Sequence, residues 1–221
     1  MEKPTSCINN DSLNLAGILN SLSHKRPLFH SEADFQFALA WEIQLHHPNA
    51  SVRLEYCPKE APHLHLDLIV ELNGKSYPIE LKYKTRKLEC VLDDECYNLK
   101  NHGAQDTGKY DCLLDIQRLE QCRHLLKSFG SGYVIWLTND PSYWSAPQRA
   151  GTTFEAFSIH EKTRKFGTMA WASHSGPGTK AGRENPITLT GTYSIHWADY
   201  SHLPVPHAGD LRYVLLEINR L

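Results

Sequence analysis

The stretch 65–84 (HLDLIVELNGKSYPIELKYK) holds two carboxylates and an amine at a spacing suited to metal-assisted chemistry. Asn73-Gly74 is a strong hairpin signal, because a two-residue type I′ turn needs positive φ at both central residues. With Leu72 opposite Lys75, the ladder sets Asp67 opposite Glu80 and His65 opposite Lys82, each pair with Cβ atoms about 5 Å apart. Alternation gathers His65, Asp67, Glu80 and Lys82 on one face. Leu66, Leu68, Val70 and Leu72 share the other face with Leu81, Ile79 and Tyr77, and only Lys75 at the tip breaks its apolar character. Carboxylates this close raise one another's pKa unless a cation lies between them. A hard divalent ion, Mg²⁺ or Mn²⁺, is the natural occupant. Lys82 lies about 7 Å along the strand from Glu80, where an ammonium can orient a water or steady charge growing on a phosphate. Such a set suits phosphodiester hydrolysis. The plainer use of the same residues is a salt bridge on a solvated sheet face.

Other constellations compete. His63, His65 and Asp67 alternate along one strand and could suit zinc, although Leu68 stands where a further ligand is wanted. Lys82, Lys84, Arg86 and Lys87 form a basic run that either guides a polyanion or is simply solvated. Asp93-Asp94-Glu95 reads as a solvated loop. Arg118, Arg123 and Lys127 are either phosphate contacts or the exposed stripe of a helix. Trp136 reads as core, while Tyr143 and Trp144 either stack on a base or cover a sheet edge.

The elements that position these residues follow from periodicity. Residues 31–46 predict a helix capped by Ser31, with Glu32 and Asp34 at the positive end of its dipole. Strands are expected at 52–56, 64–72 and 75–83, then a helix over 110–129 with Leu113, Ile116, Leu119 and Leu126 at helical spacing. The apolar run 133–138 predicts a strand covered on both faces. Farther on, 154–161 suggests a short helix, and 187–197 and 211–218 suggest strands. The Gly- and Pro-rich stretch 173–186 reads as a mobile loop, either a plain connector or a substrate-contacting loop carrying Lys180 and Arg183.

The chain of 221 residues, 41% hydrophobic and 22% charged, has enough apolar material for one sizeable core. A single domain over 1–221 is expected. The net charge of −2 excludes a coat-like nucleic-acid binder but not a local basic site. No apolar run reaches the roughly 18–20 residues that span a bilayer, so no membrane partner is expected. The polar N-terminus lacks a signal pattern, which predicts a cytoplasmic protein. Cys7, Cys57, Cys90, Cys96, Cys112 and Cys122 form no Cys-x-x-Cys pair, and free thiols are expected.

Asp67 followed by Glu80-Leu81-Lys82 resembles the bipartite motif of the PD-(D/E)XK nuclease superfamily, with Leu66 in place of the proline. The resemblance covers about 31–138 and implies an α/β restriction-endonuclease-like core, a central mixed β-sheet flanked by helices. A C-terminal strand at about 211–219 would add to that core, and 140–205 would be an insertion. It implies a Mg²⁺- or Mn²⁺-dependent nuclease in which Asp67, Glu80 and Lys82 are catalytic. Asp67, Glu80, the Leu81 carbonyl and Glu32 would hold the metal. His65, Lys84, Gln105 and Tyr110 would contact nucleic acid, DNA rather than RNA, although the Gln105–Tyr110 spacing is one residue longer than the usual pattern. A homodimer would let two sites face two strands. The rival expectation is a catalytically inactive nucleic-acid-binding or assembly subunit of the same fold.

Overall fold

The computed structural model describes residues 13–219. Helix α1 (Leu15–Lys25) begins where Asn14 Oδ1 accepts from the Gly17 N–H at 3.0 Å, and it buries Leu15, Ile18, Leu19 and Leu22. Helix α2 (Glu32–His46) is capped as expected, with Ser31 Oγ accepting from the Asp34 N–H at 3.1 Å. Three strands follow: β1 (Ser51–Tyr56), β2 (Leu66–Leu72) and β3 (Lys75–Lys84). A small hairpin, β4 (Leu88–Leu92) and β5 (Glu95–Leu99), precedes helix α3 (Gln105–Leu125) and strand β6 (Ser131–Thr138). The last third holds a 3-10 turn (Glu155–Phe157), then β7 (Arg164–Met169), β8 (Ile187–Ser194), β9 (Trp197–His202) and β10 (Asp210–Asn219).

Six strands form one mixed sheet in the order β1-β2-β3-β6-β10-β9, in which only the β3–β6 pair is parallel. The fold is α/β with a central mixed sheet between helices. Helices α1 and α2 cover one face, where Leu19, Phe29, Phe35, Leu39, Ile79, Leu81 and Ile135 are fully buried. Helix α3 covers the other, packing Leu113, Ile116 and Leu119 against Val134, Trp136 and Ile218. No helix among the described residues is long and apolar enough to cross a membrane. Cys57, Cys90, Cys96, Cys112 and Cys122 are free, and Cys7 lies outside the described residues.

The hairpin has the expected register, from Leu72↔Lys75 to Leu68↔Ile79, with Asn73 at φ 51° and Gly74 at φ 73°. Beyond Leu68 the expectation needs correcting. Leu66 packs in the α3-side core while Leu68 packs in the α2-side core, so the simple alternation breaks at Asp67. Opposite that break, Glu55 of β1 sits in the left-handed region at φ 48°, and the Glu55–Asp67 pair drops out of a β1–β2 ladder whose register is the same on both sides.

Other expected boundaries shift for local reasons. Helix α3 starts at Gln105 rather than 110 and ends at Leu125, where Leu126 turns extended. The expected strand 187–197 divides at Ile195-His196, so β8 pairs with β7 and β9 joins the main sheet. The expected short helix at 154–161 shrinks to the 3-10 turn. The loop 173–186 is pinned rather than free: Arg183 grips Asp111 of α3 at 2.6 and 2.9 Å, and its carbonyl accepts from Trp171 Nε1. Asp93 and Asp94 form a second two-residue turn, both at positive φ, and stay exposed as expected.

Candidate functional site

Strand β3 serves both cores, and this parity positions the site. Its odd residues Ile79, Leu81 and Tyr83 face α1 and α2, while Glu80 and Lys82 face α3. Glu80 is only 1% exposed. Arg118 of α3 brings Nη2 to 3.2 Å from Glu80 Oε1, off the axis of a hydrogen bond, so that buried oxygen is compensated in charge but left without a bond. Asp115, 3% exposed, stands 3.2 Å from Lys82 Nζ through Oδ2 and 3.2 Å from Arg118 Nη1 through Oδ1. Its Oδ2 likewise lacks an aligned hydrogen bond.

Asp67 arrives at the cluster through the break in β2. Its Oδ2 accepts from the Leu81 N–H at 2.6 Å, so the carboxylate reaches across to the backbone of β3 instead of standing opposite Glu80 in the ladder. Gln36 of α2 holds that break in place, donating to the Asp67 carbonyl at 2.6 Å and to Glu55 Oε1 at 2.9 Å. Four residues earlier on the same helix, Glu32 Oε2 accepts from the Tyr83 N–H at 2.7 Å. Lys82 Nζ donates to the Leu81 carbonyl at 2.9 Å.

The cluster therefore sets four carboxylates, Glu32, Asp67, Glu80 and Asp115, against the two cations Lys82 and Arg118. Fully ionised, it carries an excess of negative charge in a poorly solvated place, and the proton affinities show the consequence. Glu80 is pushed up to about 9 by burial and then by Asp115 and Asp67, with Arg118 and Lys82 pulling the other way. Asp115 rises to about 6, again through burial, against the pull of Lys82 and Arg118. Burial works to lower Lys82, but the surrounding carboxylates, Asp115 first, outweigh it and hold the ammonium charged.

Of the residues expected from sequence, Glu32, Asp67, Glu80, Leu81 and Lys82 come together. His65 lies beside them through its backbone, its carbonyl accepting from Arg118, while its side chain is exposed. Lys84 is half-buried farther along β3, paired in register with Thr138. Gln105 and Tyr110 are engaged elsewhere. Gln105 donates to Asp140 Oδ2 at 3.1 Å. The Tyr110 hydroxyl donates to the Asn185 carbonyl at 3.0 Å, and its ring stacks on Trp171. Trp136 is core, and Tyr143 is buried against it.

Asp115 and Gln36 are additions to that set. Gly108, Cys112, Asp115, Leu119 and Cys122 share one buried stripe of α3, so a carboxylate interrupting it was the available signal. Gln36 carries the same kind of signal, an amide on the buried side of an apolar helix four residues after Glu32.

Among the described residues, no three His, Cys, Asp or Glu side chains already stand together as a metal-holding group. The donor types nonetheless fit a hard divalent cation: carboxylate oxygens, a backbone carbonyl, and two buried oxygens without bonds of their own. No protein-family model, curated protein or solved structure matches the chain.

Proposed function

We propose that this chain is a Mg²⁺- or Mn²⁺-dependent nuclease that hydrolyses phosphodiester bonds, in DNA rather than RNA, on a restriction-endonuclease-like core. The observation that carries the reading is the excess of buried negative charge around Glu80, flanked by Lys82. A cluster that can be neutralised by protons at Glu80 and Asp115 can equally be neutralised by a divalent cation. The chain order α2, β1, β2, β3, α3, β6 around the mixed sheet agrees with the helix–strand–hairpin–helix–strand order of that core.

Asp67, Glu80, Asp115 and the Leu81 carbonyl would hold the ion, with Glu32 adding negative charge from α2. When bound, the ion supplies Lewis-acid activation of water and charge neutralisation at the phosphate. Lys82, kept charged by its carboxylate neighbours, stabilises negative charge developing on the phosphate oxygens. Arg118 keeps Glu80 and Asp115 apart in charge and ties α3 to the start of β2 through the His65 carbonyl. Gln36 is a positioning residue that fixes the break carrying Asp67.

Cleavage of circular and linear, single- and double-stranded DNA and RNA tests the reading, with Mg²⁺ or Mn²⁺ and with EDTA. Metal-dependent cleavage that disappears in Asp67→Asn, which keeps an acceptor for the Leu81 N–H, is the expected result. Equal cleavage by that variant overturns the assignment. One observation favours a non-catalytic nucleic-acid-binding or assembly subunit: Lys82 and Arg118 already engage Asp115 and Glu80. Calorimetric titration with Mn²⁺ separates the two, since binding lost in Glu80→Ala belongs to the enzyme and no binding belongs to the scaffold.

A further inference from the structure

The carboxyl ends of the parallel strands β3 and β6 border a cavity of about 540 Å³. Crevices at that end of parallel strands are where α/β sheets place ligands, and the volume lies in the range of small-molecule sites. Three cations line it, Arg86, Lys109 and Arg149, and no carboxylate is among the described lining residues. The nearby Asp140 is buried and already satisfied by Arg86 Nε at 3.0 Å, by Gln105 and by the Ser142 N–H.

Lys109 is the unusual member. It is 3% exposed, yet among the described residues no carboxylate lies within ion-pair distance of its ammonium, which rests 4.3 Å from the Phe154 ring centroid and 5.7 Å from that of Tyr143. Ring faces compensate a buried cation only in part. The hydroxyl of Thr152, a lining residue, is buried and has no hydrogen-bond partner among the described residues. A buried cation, one unspent hydroxyl and the exposed Arg149 complement an oxyanion with several acceptors. The remaining wall, with Phe154 and prolines, offers apolar surface to whatever carries that oxyanion.

We propose that this cavity binds the phosphate monoester of a nucleotide, with the phosphate on Lys109 and the attached nucleoside against Phe154. The phosphate is borne either by the end of a nucleic-acid strand or by a free nucleoside monophosphate. Choosing a nucleotide as carrier rests on the nuclease reading, whereas the anion site stands on its own residues. Lys109 lies outside the carboxylate cluster, so the two can fail separately.

The test is calorimetric binding to the full-length protein in EDTA, where no metal-dependent cleavage intervenes. The probes are adenosine 5′-monophosphate, adenosine, and one short single-stranded DNA with either a 5′-phosphate or a 5′-hydroxyl. Each phosphorylated probe is expected to bind about tenfold or more tighter than its hydroxyl counterpart, as charge-assisted hydrogen bonds warrant. Lys109→Met should erase that difference. Tighter binding of the phosphorylated strand than of the mononucleotide identifies a strand end as the source; the reverse identifies the free nucleotide. Should Lys109→Met fail to fold, Arg149→Gln at the exposed rim should still weaken the phosphorylated probes selectively. Equal binding of phosphorylated and hydroxyl probes, or a preference that survives both Lys109→Met and Arg149→Gln, overturns the site. If the preference is present but no cleavage occurs with metal, the nuclease reading falls and the phosphate site remains.

Discussion

The two faces of the central sheet are built from the same strands to opposite ends. Against α1 and α2, β3 presents Ile79, Leu81 and Tyr83 to a dry core. Even the charge buried there, Glu42, is fully engaged, with Lys25 Nζ at 2.7 and 2.8 Å and Ser21 Oγ at 2.7 Å. Against α3, the intervening residues Glu80 and Lys82 meet Asp115 and Arg118, and two buried carboxylate oxygens lack hydrogen bonds. One face stabilises the fold through close packing. The other holds unbalanced charge that only the rigidity of the first makes tolerable.

If that division is right, substitutions on the two faces should separate activity from stability. The largest effect belongs to Asp67→Asn, expected to lower metal-dependent cleavage by about 10²–10³-fold or more with little change in the unfolding midpoint. A parallel fall in stability and rate would erase the distinction. On the other face, Leu39→Ala should cost about 2–5 kcal/mol in urea unfolding while the rate per folded molecule stays unchanged.

Acidity sharpens the contrast further. Burial and the neighbouring Asp115 and Asp67 push Glu80 up to about 9 in the folded chain, whereas the unfolded chain releases that proton near the ordinary glutamate value of 4.5. The native state therefore binds more protons in that window, and its stability in EDTA should fall as pH rises from about 6 to 9. Glu80→Gln should flatten this slope, and saturating Mn²⁺ should raise the wild-type unfolding midpoint more at pH 9 than at pH 6. Identical slopes for the two proteins would place the strain elsewhere. The smallest effect tests the turn that feeds both faces: Gly74→Ala meets open space but must hold φ 73°, and should cost about 1 kcal/mol without moving the register.

Local rules made much of this legible. Ser31 caps α2, and Asn73-Gly74 fixes the hairpin register through Leu68, because caps and two-residue turns are decided by neighbouring residues. Helix α1 follows equally ordinary rules, with an Asn14 cap and a Leu15, Ile18, Leu19, Leu22 stripe, but it lies upstream of the segment that the motif organises. The position of Asp67 was harder to read. Its break depends on Glu55 in a neighbouring strand and on Gln36 in a helix, contacts that no local pattern specifies. Asp115 interrupts an apolar stripe, yet which strand that stripe would meet is settled only when α3 docks. Ile195-His196 carries no glycine or proline, so nothing local announces that β8 and β9 belong to different sheets.

The parallel pairing of β3 with β6 has a consequence for how the molecule comes into being. A strand's parallel neighbour must be supplied by distant sequence, and here β4, β5 and all of α3 are made before β6 can dock. A growing chain that has emerged only as far as Leu99 already holds Glu32, Asp67, Glu80 and Lys82, yet it lacks Asp115, Arg118 and the wall that keeps water from them. Whatever those residues do, they begin to do it only when the later half arrives, so an amino-terminal fragment bearing the whole motif should be inert.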